Sequence, residues 1–259
     1  MNAELLLMFT LGCERAYLYA HPERELSAEE CDRYETALGA RMRGVPAQYI
    51  TGHQEFWGMD LIVSPAVLIP RPETEHVIEV VLDTAKFTHG PEHKLRIADV
   101  GTGSGCIALA LANELPQAEV VAIDISSSAL EIARANAARL RLESRIHFKQ
   151  ADLLDGLESA SLDFVVSNPP YVGDSEEDQV QLEVRKYEPR NAVFAGDRGT
   201  EVIERLIPQA HTALKLGGWL VMEISGTIAQ EVSRLLRDWN DVQLTPDLQS
   251  IPRVIRARK

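Results

Sequence analysis

The chain has 259 residues, 45% of them hydrophobic, which suffices for one large domain or for one domain with a smaller companion. Its formal net charge of -13 argues against a protein that binds nucleic acid through phosphates, because such binding needs clustered Lys and Arg; a protein partner fits better. Cys13, Cys31 and Cys106 lack CxxC spacing, and no signal peptide or membrane-length apolar stretch is evident, so we expect free thiols and a cytoplasmic protein.

The first 43 residues are predicted to be helical, and Ser27 and Glu30 match a capping box at a helix start. Residues 44–68 then contain repeated glycine and proline, which break helices. Two short apolar runs on either side of Gly58, at 55–57 and 61–63, predict a hairpin. We therefore expect a helical N-terminal domain over 1–43, a β-hairpin linker over 44–70 and a larger domain over 71–259.

The larger domain alternates strand and helix patterns. Strands are predicted at 95–100, 120–123, 146–149, 162–166, 219–224, 242–244 and 254–257, and helices at 74–85, 107–114, 129–140, 202–214 and 228–239. Such alternation predicts an α/β fold with a parallel, doubly wound sheet and right-handed crossovers.

A glycine loop follows the first strand of this sheet, in the order Asp99-Val100-Gly101-Thr102-Gly103-Ser104-Gly105. Glycines permit a tight turn and let the backbone approach a ligand closely. The dinucleotide fingerprint would need glycine where Cys106 stands, and the Gly-Lys-Ser/Thr of a P-loop is absent. The loop therefore favours a ligand without phosphates and argues against a dehydrogenase.

Two acidic positions end the next strands. Asp124 could accept both hydrogens of a ribose diol, the interpretation that we favour, or it could cap the following helix. Asp152 could accept from the exocyclic amine of an adenine while Leu153 packs on the ring, but a solvated acidic turn is the alternative.

Asn168-Pro169-Pro170-Tyr171 follows the apolar run at 162–166, at the carboxyl end of a predicted buried strand. The two prolines fix φ and remove two N–H donors. What remains is a rigid pair of acceptors, the Asn168 side-chain oxygen and the Pro169 carbonyl, suited to holding a planar NH2 group by both hydrogens. The alternative is a simple strand-ending turn, since Asn and Pro are common in turns.

Taken together, the glycine loop, the diol carboxylate and Asn168–Tyr171 resemble a class I S-adenosylmethionine-dependent methyltransferase that acts on a planar amide or amine nitrogen. Three further segments narrow the resemblance to the peptide chain release factor N5-glutamine methyltransferases, the PrmC or HemK group: Gln48-Tyr49-Ile50-Thr51-Gly52-His53-Gln54-Glu55-Phe56-Trp57-Gly58, Val67-Leu68-Ile69-Pro70-Arg71-Pro72-Glu73-Thr74-Glu75 and Tyr187-Glu188-Pro189-Arg190. The resemblance covers nearly the whole chain. The sequence departs from it at Ser225, where the family favours glycine.

This resemblance implies a Rossmann-like methyltransferase sheet with a small helical N-terminal domain that binds substrate and a hairpin linker. It implies cofactor contacts at Gly101, Thr102, Gly103, Ser104, Gly105, Asp124, Asp152, Leu153 and Asn168. It implies substrate contacts at Asn168, Pro169, Pro170 and Tyr171, of which Asn168, Pro169 and Tyr171 serve catalysis. The expected cofactor is S-adenosylmethionine, and the expected product is S-adenosylhomocysteine.

The expected reaction is methylation of the glutamine in the Gly-Gly-Gln motif of release factors by a monomeric enzyme that contacts neither nucleic acid nor membrane. Alternatives are a glutamine methyltransferase of a ribosomal protein, an adenine-N6 nucleic-acid methyltransferase and a non-catalytic S-adenosylmethionine-binding module. Arg71 could position the substrate backbone or pair with a carboxylate such as Glu73. The histidines, His89 among them, show no metal-ligand spacing with Cys or Glu, so no metal is assigned.

Overall fold

A computed structural model of the protein describes residues 2–88 and 93–259; His89 therefore lies outside the described residues. The helices are α1 (Asn2–Leu11), α2 (Arg15–Ala20), α3 (Ala28–Met42), α4 (Ala47–Thr51), α5 (Glu75–Thr88), α6 (Cys106–Glu114), α7 (Ser127–Leu140), α8 (Leu182–Tyr187), α9 (Arg190–Val193), α10 (Glu201–Ala213) and α11 (Ala229–Leu235). The strands are β1 (His53–Phe56), β2 (Met59–Ile62), β3 (Arg96–Val100), β4 (Glu119–Asp124), β5 (Ile146–Gln150), β6 (Leu162–Ser167), β7 (Val172–Gly173), β8 (Phe194–Gly196), β9 (Leu214–Glu223), β10 (Asn240–Pro246) and β11 (Pro252–Arg258).

The segment 1–43 contains α1 to α3, as predicted, and the capping box of α3 is confirmed. Ser27 Oγ accepts a hydrogen bond from the Glu30 amide at 3.2 Å, and the Glu30 carboxylate accepts one from the Ser27 amide at 2.9 Å. These two bonds satisfy donors that the first turn of α3 would otherwise leave unpaired.

The further short helix α4 lies within 44–70, where the sequence predicts no helix. It begins directly after Pro46 and ends at Gly52, whose φ of 77° is left-handed.

The hairpin β1–β2 pairs antiparallel and is anchored to the larger domain by Asn136 of α7. The Asn136 side chain accepts from the Ile62 amide at 2.7 Å and donates to the Ile62 carbonyl at 3.0 Å and to the Ser104 carbonyl at 2.9 Å. Asn136 is fully buried. One side chain therefore joins the hairpin to the glycine loop.

The main sheet has the strand order β10-β11-β9-β6-β3-β4-β5. The strands from β9 to β5 are parallel, as the sequence predicts, but β11 pairs antiparallel with both β9 and β10. The expectation of a parallel sheet is therefore wrong for β11, which runs against the other strands of the sheet, whereas β10 again runs in the direction of β9. Only residues 247–251 connect β10 to β11, which is too short for a parallel crossover.

Two hydrophobic cores cover the two faces of this sheet. Ile97 and Ala98, neighbours in β3, belong to different cores, since successive side chains of a strand point to opposite faces. All six residues of β6 are buried, as expected for a central parallel strand covered on both faces.

The parallel arrangement brings the carboxyl ends of β3, β4, β5, β6 and β9 to one edge of the sheet. The segments that follow these strands include 172–196, which contains β7, α8, α9 and β8 and which the sequence did not predict in detail. Strand β9 also begins earlier than predicted, at Leu214. Leu214 and Trp219 are successive partners of β6. The residues between them, which include Gly217 and Gly218, therefore form a bulge in β9.

Candidate active site

A cavity of about 340 Å³ lies at the carboxyl edge of the parallel strands. Of the residues that the sequence assigned to a site, those lining it are Gly101, Thr102, Gly103, Ser104, Asp124, Asp152, Leu153, Asn168 and Pro170. The remaining three, Gly105, Pro169 and Tyr171, are chain neighbours of lining residues but do not line the cavity themselves. The structure therefore brings segments from four strand ends to one cavity.

The glycine loop is held by the strand beside it. The amides of Gly101 and Thr102 both donate to the Ile123 carbonyl of β4, at 2.9 Å each. Gly101 and Gly103 have φ values of 72° and 54°, in the left-handed region that favours glycine, and a Cβ at either position would meet no atom within 4 Å. The loop is therefore a fixed turn with open space beside it, into which a ligand can come close to the backbone.

Asp99 lies fully buried beneath this loop. Its Oδ2 accepts from Thr102 Oγ1 at 2.6 Å and from the Ala108 amide at 3.1 Å. Burial outweighs these bonds and raises the pKa of Asp99 to about 7. The nearby Cys106 lines the cavity, and burial raises the pKa of its thiol to about 12, so it stays protonated and is a poor nucleophile.

Asp124 ends β4 and is oriented by two backbone donors. One carboxylate oxygen accepts from the Gly103 amide and the other from the Ser126 amide, both at 2.9 Å. The N-cap of α7 is Ser126, whose side chain accepts from the Ala129 amide, so Asp124 does not cap that helix. Each carboxylate oxygen retains a lone pair for a further donor, which keeps the diol interpretation open.

Asp152 and Leu153 form the corner after β5. Asp152 is paired with Arg205 of α10, which also lines the cavity, and its side chain is 41% exposed. Leu153 has a φ of 53°, an outlier for a bulky residue. Strained conformations of this kind cluster at ligand sites, which favours a ligand-binding corner over a plain solvated turn.

Asn168 follows β6, and its amide group is held in one orientation. Its Nδ2 donates to Thr74 Oγ1 at 3.0 Å, and Thr74 Oγ1 in turn donates to the Glu223 carboxylate at 2.6 Å. With the nitrogen engaged, Asn168 retains its oxygen as an acceptor beside the cavity.

Glu223 is a site residue that the sequence did not identify. It ends β9, is 1% exposed, and accepts from Thr74 with one oxygen and from the Tyr171 hydroxyl, at 3.1 Å, with the other. Burial raises the pKa of Glu223, opposed by these two bonds and by Arg253. The pKa of Tyr171 is raised as well, by burial and by the adjacent carboxylate, so its hydroxyl remains a donor.

A third buried carboxylate, after Asp99 and Glu223, joins two segments of the cavity wall. Glu188 accepts from the Ile69 amide at 3.1 Å and from the Arg71 guanidinium at 2.5 Å. Arg71 therefore pairs with a carboxylate, one of the two alternatives from the sequence, but the partner is Glu188, 117 positions away, and not Glu73. The contact fixes 68–71 against 187–191 at the mouth of the cavity.

Within residues 2–88 and 93–259, no group of three or more His, Cys, Asp or Glu side chains could hold a metal ion. No helix in the described ranges is both long and apolar enough to cross a membrane.

Comparisons with known proteins agree with this geometry. The methyltransferase small domain matches residues 81–185, and the PrmC N-terminal domain matches residues 1–52. The crystal structure of the N-terminal domain of human METTL16 in complex with SAH superposes with a TM-score of 0.55, covering 78% of this chain and 76% of that one. At 18% identity this likeness shows the fold alone. The Rossmann-like methyltransferase fold expected from the sequence is thereby confirmed.

Two curated relatives match along the full chain. The release factor glutamine methyltransferase of Koribacter versatilis is 55% identical over 260 residues, covering 100% of this chain and 91% of the relative. That of Rhodopirellula baltica is 38% identical over 264 residues, covering 100% of this chain and 89% of the relative. Identity at this level from end to end confirms the resemblance found in the sequence: the chain belongs to the release factor glutamine methyltransferase family.

Proposed function

We propose that this protein transfers a methyl group from S-adenosylmethionine to the side-chain amide nitrogen of the glutamine in the Gly-Gly-Gln motif of peptide chain release factors. The observation that supports this most directly is the orientation of Asn168, which keeps an acceptor oxygen beside a cavity lined by the glycine loop and Asp124. An acceptor at that place suits an NH2 group, which has two hydrogens to donate.

The cavity suits the proposed cofactor. The open space beside Gly101 and Gly103 accommodates a ligand against the backbone, and Asp124 offers two oriented carboxylate oxygens to a ribose diol. Asp152 and Leu153 also line the cavity, and we propose that they flank the adenine, in competition with the ion pair of Asp152 with Arg205. When bound, S-adenosylmethionine supplies an electrophilic methyl group on sulfur and leaves as S-adenosylhomocysteine.

The protein's part in the chemistry is to orient a weak nucleophile. The lone pair of an amide nitrogen is delocalised into its carbonyl, so the nitrogen must be aligned with the methyl group. If Asn168 Oδ1 and the Pro169 carbonyl each accept one N–H, the nitrogen is held in a fixed direction and in-line transfer gains from alignment. Both acceptors also stabilise the positive charge that develops on nitrogen. Tyr171 supplies an aromatic face beside the flat amide, and the proton leaves to water after transfer.

We propose that each segment of the chain has the role that the sequence suggests for it. The helical domain 1–43 binds the release factor, the linker 44–70 connects it, and 71–259 performs methyl transfer. The acidic chain fits a protein partner better than direct contact with nucleic acid. We further propose that the enzyme acts as a monomer in the cytoplasm, where release factors work.

The substrate is tested by comparing methyl incorporation from labelled S-adenosylmethionine into four recipients. These are an intact release factor, its Gln→Ala variant, a large-subunit ribosomal protein and an adenine-containing oligonucleotide. We expect labelling of the intact factor alone, at the glutamine, as located by mass spectrometry. Equal labelling of the Gln→Ala variant, or preferential labelling of the ribosomal protein or of the oligonucleotide, would overturn the assignment.

Asn168→Ala tests the proposed acceptor directly. We expect the variant to fold, because its side chain is only half-buried, and to lose methyl transfer far more than affinity for the release factor. Interactions that strengthen in the transition state affect the chemical step in this way. Single-turnover rates equal to those of the parent would instead make Asn168 a structural turn residue.

A further inference from the structure

Asn168 is the end of a chain of hydrogen bonds that begins at the buried carboxylate of Glu223. Asn168 Nδ2 donates to Thr74 Oγ1 at 3.0 Å, and Thr74 Oγ1 donates to Glu223 Oε2 at 2.6 Å. The other oxygen, Oε1, accepts from the Tyr171 hydroxyl at 3.1 Å. Asn168, which lines the cavity, and Tyr171 at the other end of the same motif are thus connected to one side chain.

With Glu223 ionised, the direction of this chain follows from the number of hydrogens available. An ionised carboxylate can only accept, so the single hydroxyl hydrogen of Thr74 must point to Glu223. The lone pairs of Thr74 then accept from the nitrogen of Asn168, because an amide oxygen has no hydrogen to offer. Thr74 and Glu223 are each 1% exposed, so water has little access through which to change this pattern.

We propose that Glu223, acting through Thr74, is a positioning residue that holds Asn168 as a pure acceptor, so that the site selects an amide over a carboxylate. This inference rests on the proposed function. A glutamine presents two hydrogens to the Asn168 oxygen and the Pro169 carbonyl, whereas a glutamate at the same place presents only acceptors. Buried polar groups left unpaired in this way make the wrong ligand costly.

Burial is the largest influence on Glu223 and raises its pKa, as does the negative charge of Glu73. The hydroxyl donors of Thr74 and Tyr171 and the positive charge of Arg253 act against this and favour the ionised form that this direction needs. Replacing Glu223 with glutamine keeps the shape but introduces a group that can both donate and accept. The hydroxyl of Thr74 is then free to turn toward Asn168, and the amide of Asn168 can flip.

The test uses Thr74→Val, Thr74→Ser and Glu223→Gln, with Thr84→Val as a matched control. Thr84 is also buried, at 2% exposure, and its hydroxyl is hydrogen-bonded too, to the Val80 carbonyl and Arg256, but it lies away from the cavity. Each variant is measured for single-turnover methyl transfer to the intact release factor, for KM toward that factor, and for thermal unfolding.

We expect Thr74→Val and Glu223→Gln to lower the single-turnover rate by at least about tenfold with KM changed by less than about threefold. Thr74→Ser restores the hydroxyl and should recover most of the rate, whereas Thr84→Val should lower the unfolding temperature without lowering the rate. Should Thr74→Val fail to fold, Glu223→Gln, which changes one atom, gives the answer alone.

The second measurement tests whether the site selects glutamine over glutamate. A release factor whose target is changed from Gln to Glu should compete poorly with the native factor on the parent enzyme and better on Glu223→Gln. Parental rates in both Thr74→Val and Glu223→Gln, or unchanged competition in Glu223→Gln, would refute the positioning role. Failure of the parent itself to label the native factor would refute the proposed function instead, so the two failures are distinguishable.

Discussion

At the scale of single residues, two of the carboxylates of the site, Asp124 and Glu223, differ in how much the sequence reveals about them. Asp124 directly follows a strand and lies 23 positions after Gly101, a spacing that indicates a diol-binding acid. Glu223 has no such local signal. It reaches Tyr171 across 52 positions and Thr74 across 149. The pairing of β9 beside β6 brings Glu223 to the segment of Tyr171, and the packing of α5 against β9 brings Thr74 to it. The sequence alone could not specify that arrangement.

Asp124→Ala tests the residue that the sequence did indicate. The change removes the acceptors proposed for the ribose diol and also frees the Gly103 amide, which Asp124 holds at 2.9 Å. We expect the affinity for S-adenosylmethionine to fall by on the order of 1.5–3 kcal/mol for each charge-assisted bond lost, as measured by calorimetry. Asp155→Ala, an exposed acid near the neighbouring corner, serves as the control. Equal affinities for both variants would remove the diol assignment.

At the scale of elements, one pattern explains what the sequence predicts correctly, and one short connection explains where the prediction fails. Alternation of strands and helices correctly predicts the parallel strands. The antiparallel end of the sheet follows from the five residues 247–251, a length that by itself excludes a parallel crossover. Segment 172–196 lacks a clear period, so its short elements could not be predicted. This segment nevertheless packs closely against Gly199, which follows it in the chain.

Gly199 lies directly against the segment that contains Tyr171. A Cβ on Gly199 would lie 2.6 Å from the Tyr171 carbonyl oxygen, at a φ of +81°. We expect Gly199→Ala to lower the free energy of unfolding by about 1–2 kcal/mol from backbone strain and by a further 1–3 kcal/mol, roughly, from the clash. It should also lower methyl transfer, because Tyr171 must shift.

Gly12→Ala is the matched control for this change. Gly12 has a φ of +60°, and a Cβ there would meet no atom within 4 Å, so the substitution introduces the backbone strain alone. Denaturant unfolding that gives the same loss for both variants would show that the contact with Tyr171 is easily relieved.

At the scale of the whole molecule, the ligand-free protein contains a buried acid that makes its stability depend on pH. Burial raises the pKa of Asp99 from 3.8 to about 7, so the folded state binds a proton that the unfolded state releases. The stabilisation is fully present below about pH 3.8 and is lost as pH rises through about 7. Asp99→Asn cannot ionise, so its stability relative to the parent should increase across that range.

The expected slope is at most about 1.4 kcal/mol per pH unit, measured by urea unfolding between about pH 5 and about pH 8. Asp247→Asn is the control. Hydrogen bonds from the Ile251 amide and from Arg253 lower the pKa of Asp247, so it is ionised in both states over this range. Its difference from the parent should stay constant with pH. A constant difference for Asp99→Asn as well would contradict the buried proton.

Asn136 has a consequence for how the enzyme meets its two ligands. Its side chain holds the hairpin at Ile62 and the glycine loop at Ser104 at once. If the release factor bears on the hairpin while the cofactor lies against the loop, the two binding events share one support. The affinities for the two ligands are then thermodynamically linked. The factor by which the cofactor changes the affinity for the release factor must equal the factor by which the release factor changes the affinity for the cofactor. A factor above one would favour the ternary complex over partial occupancy.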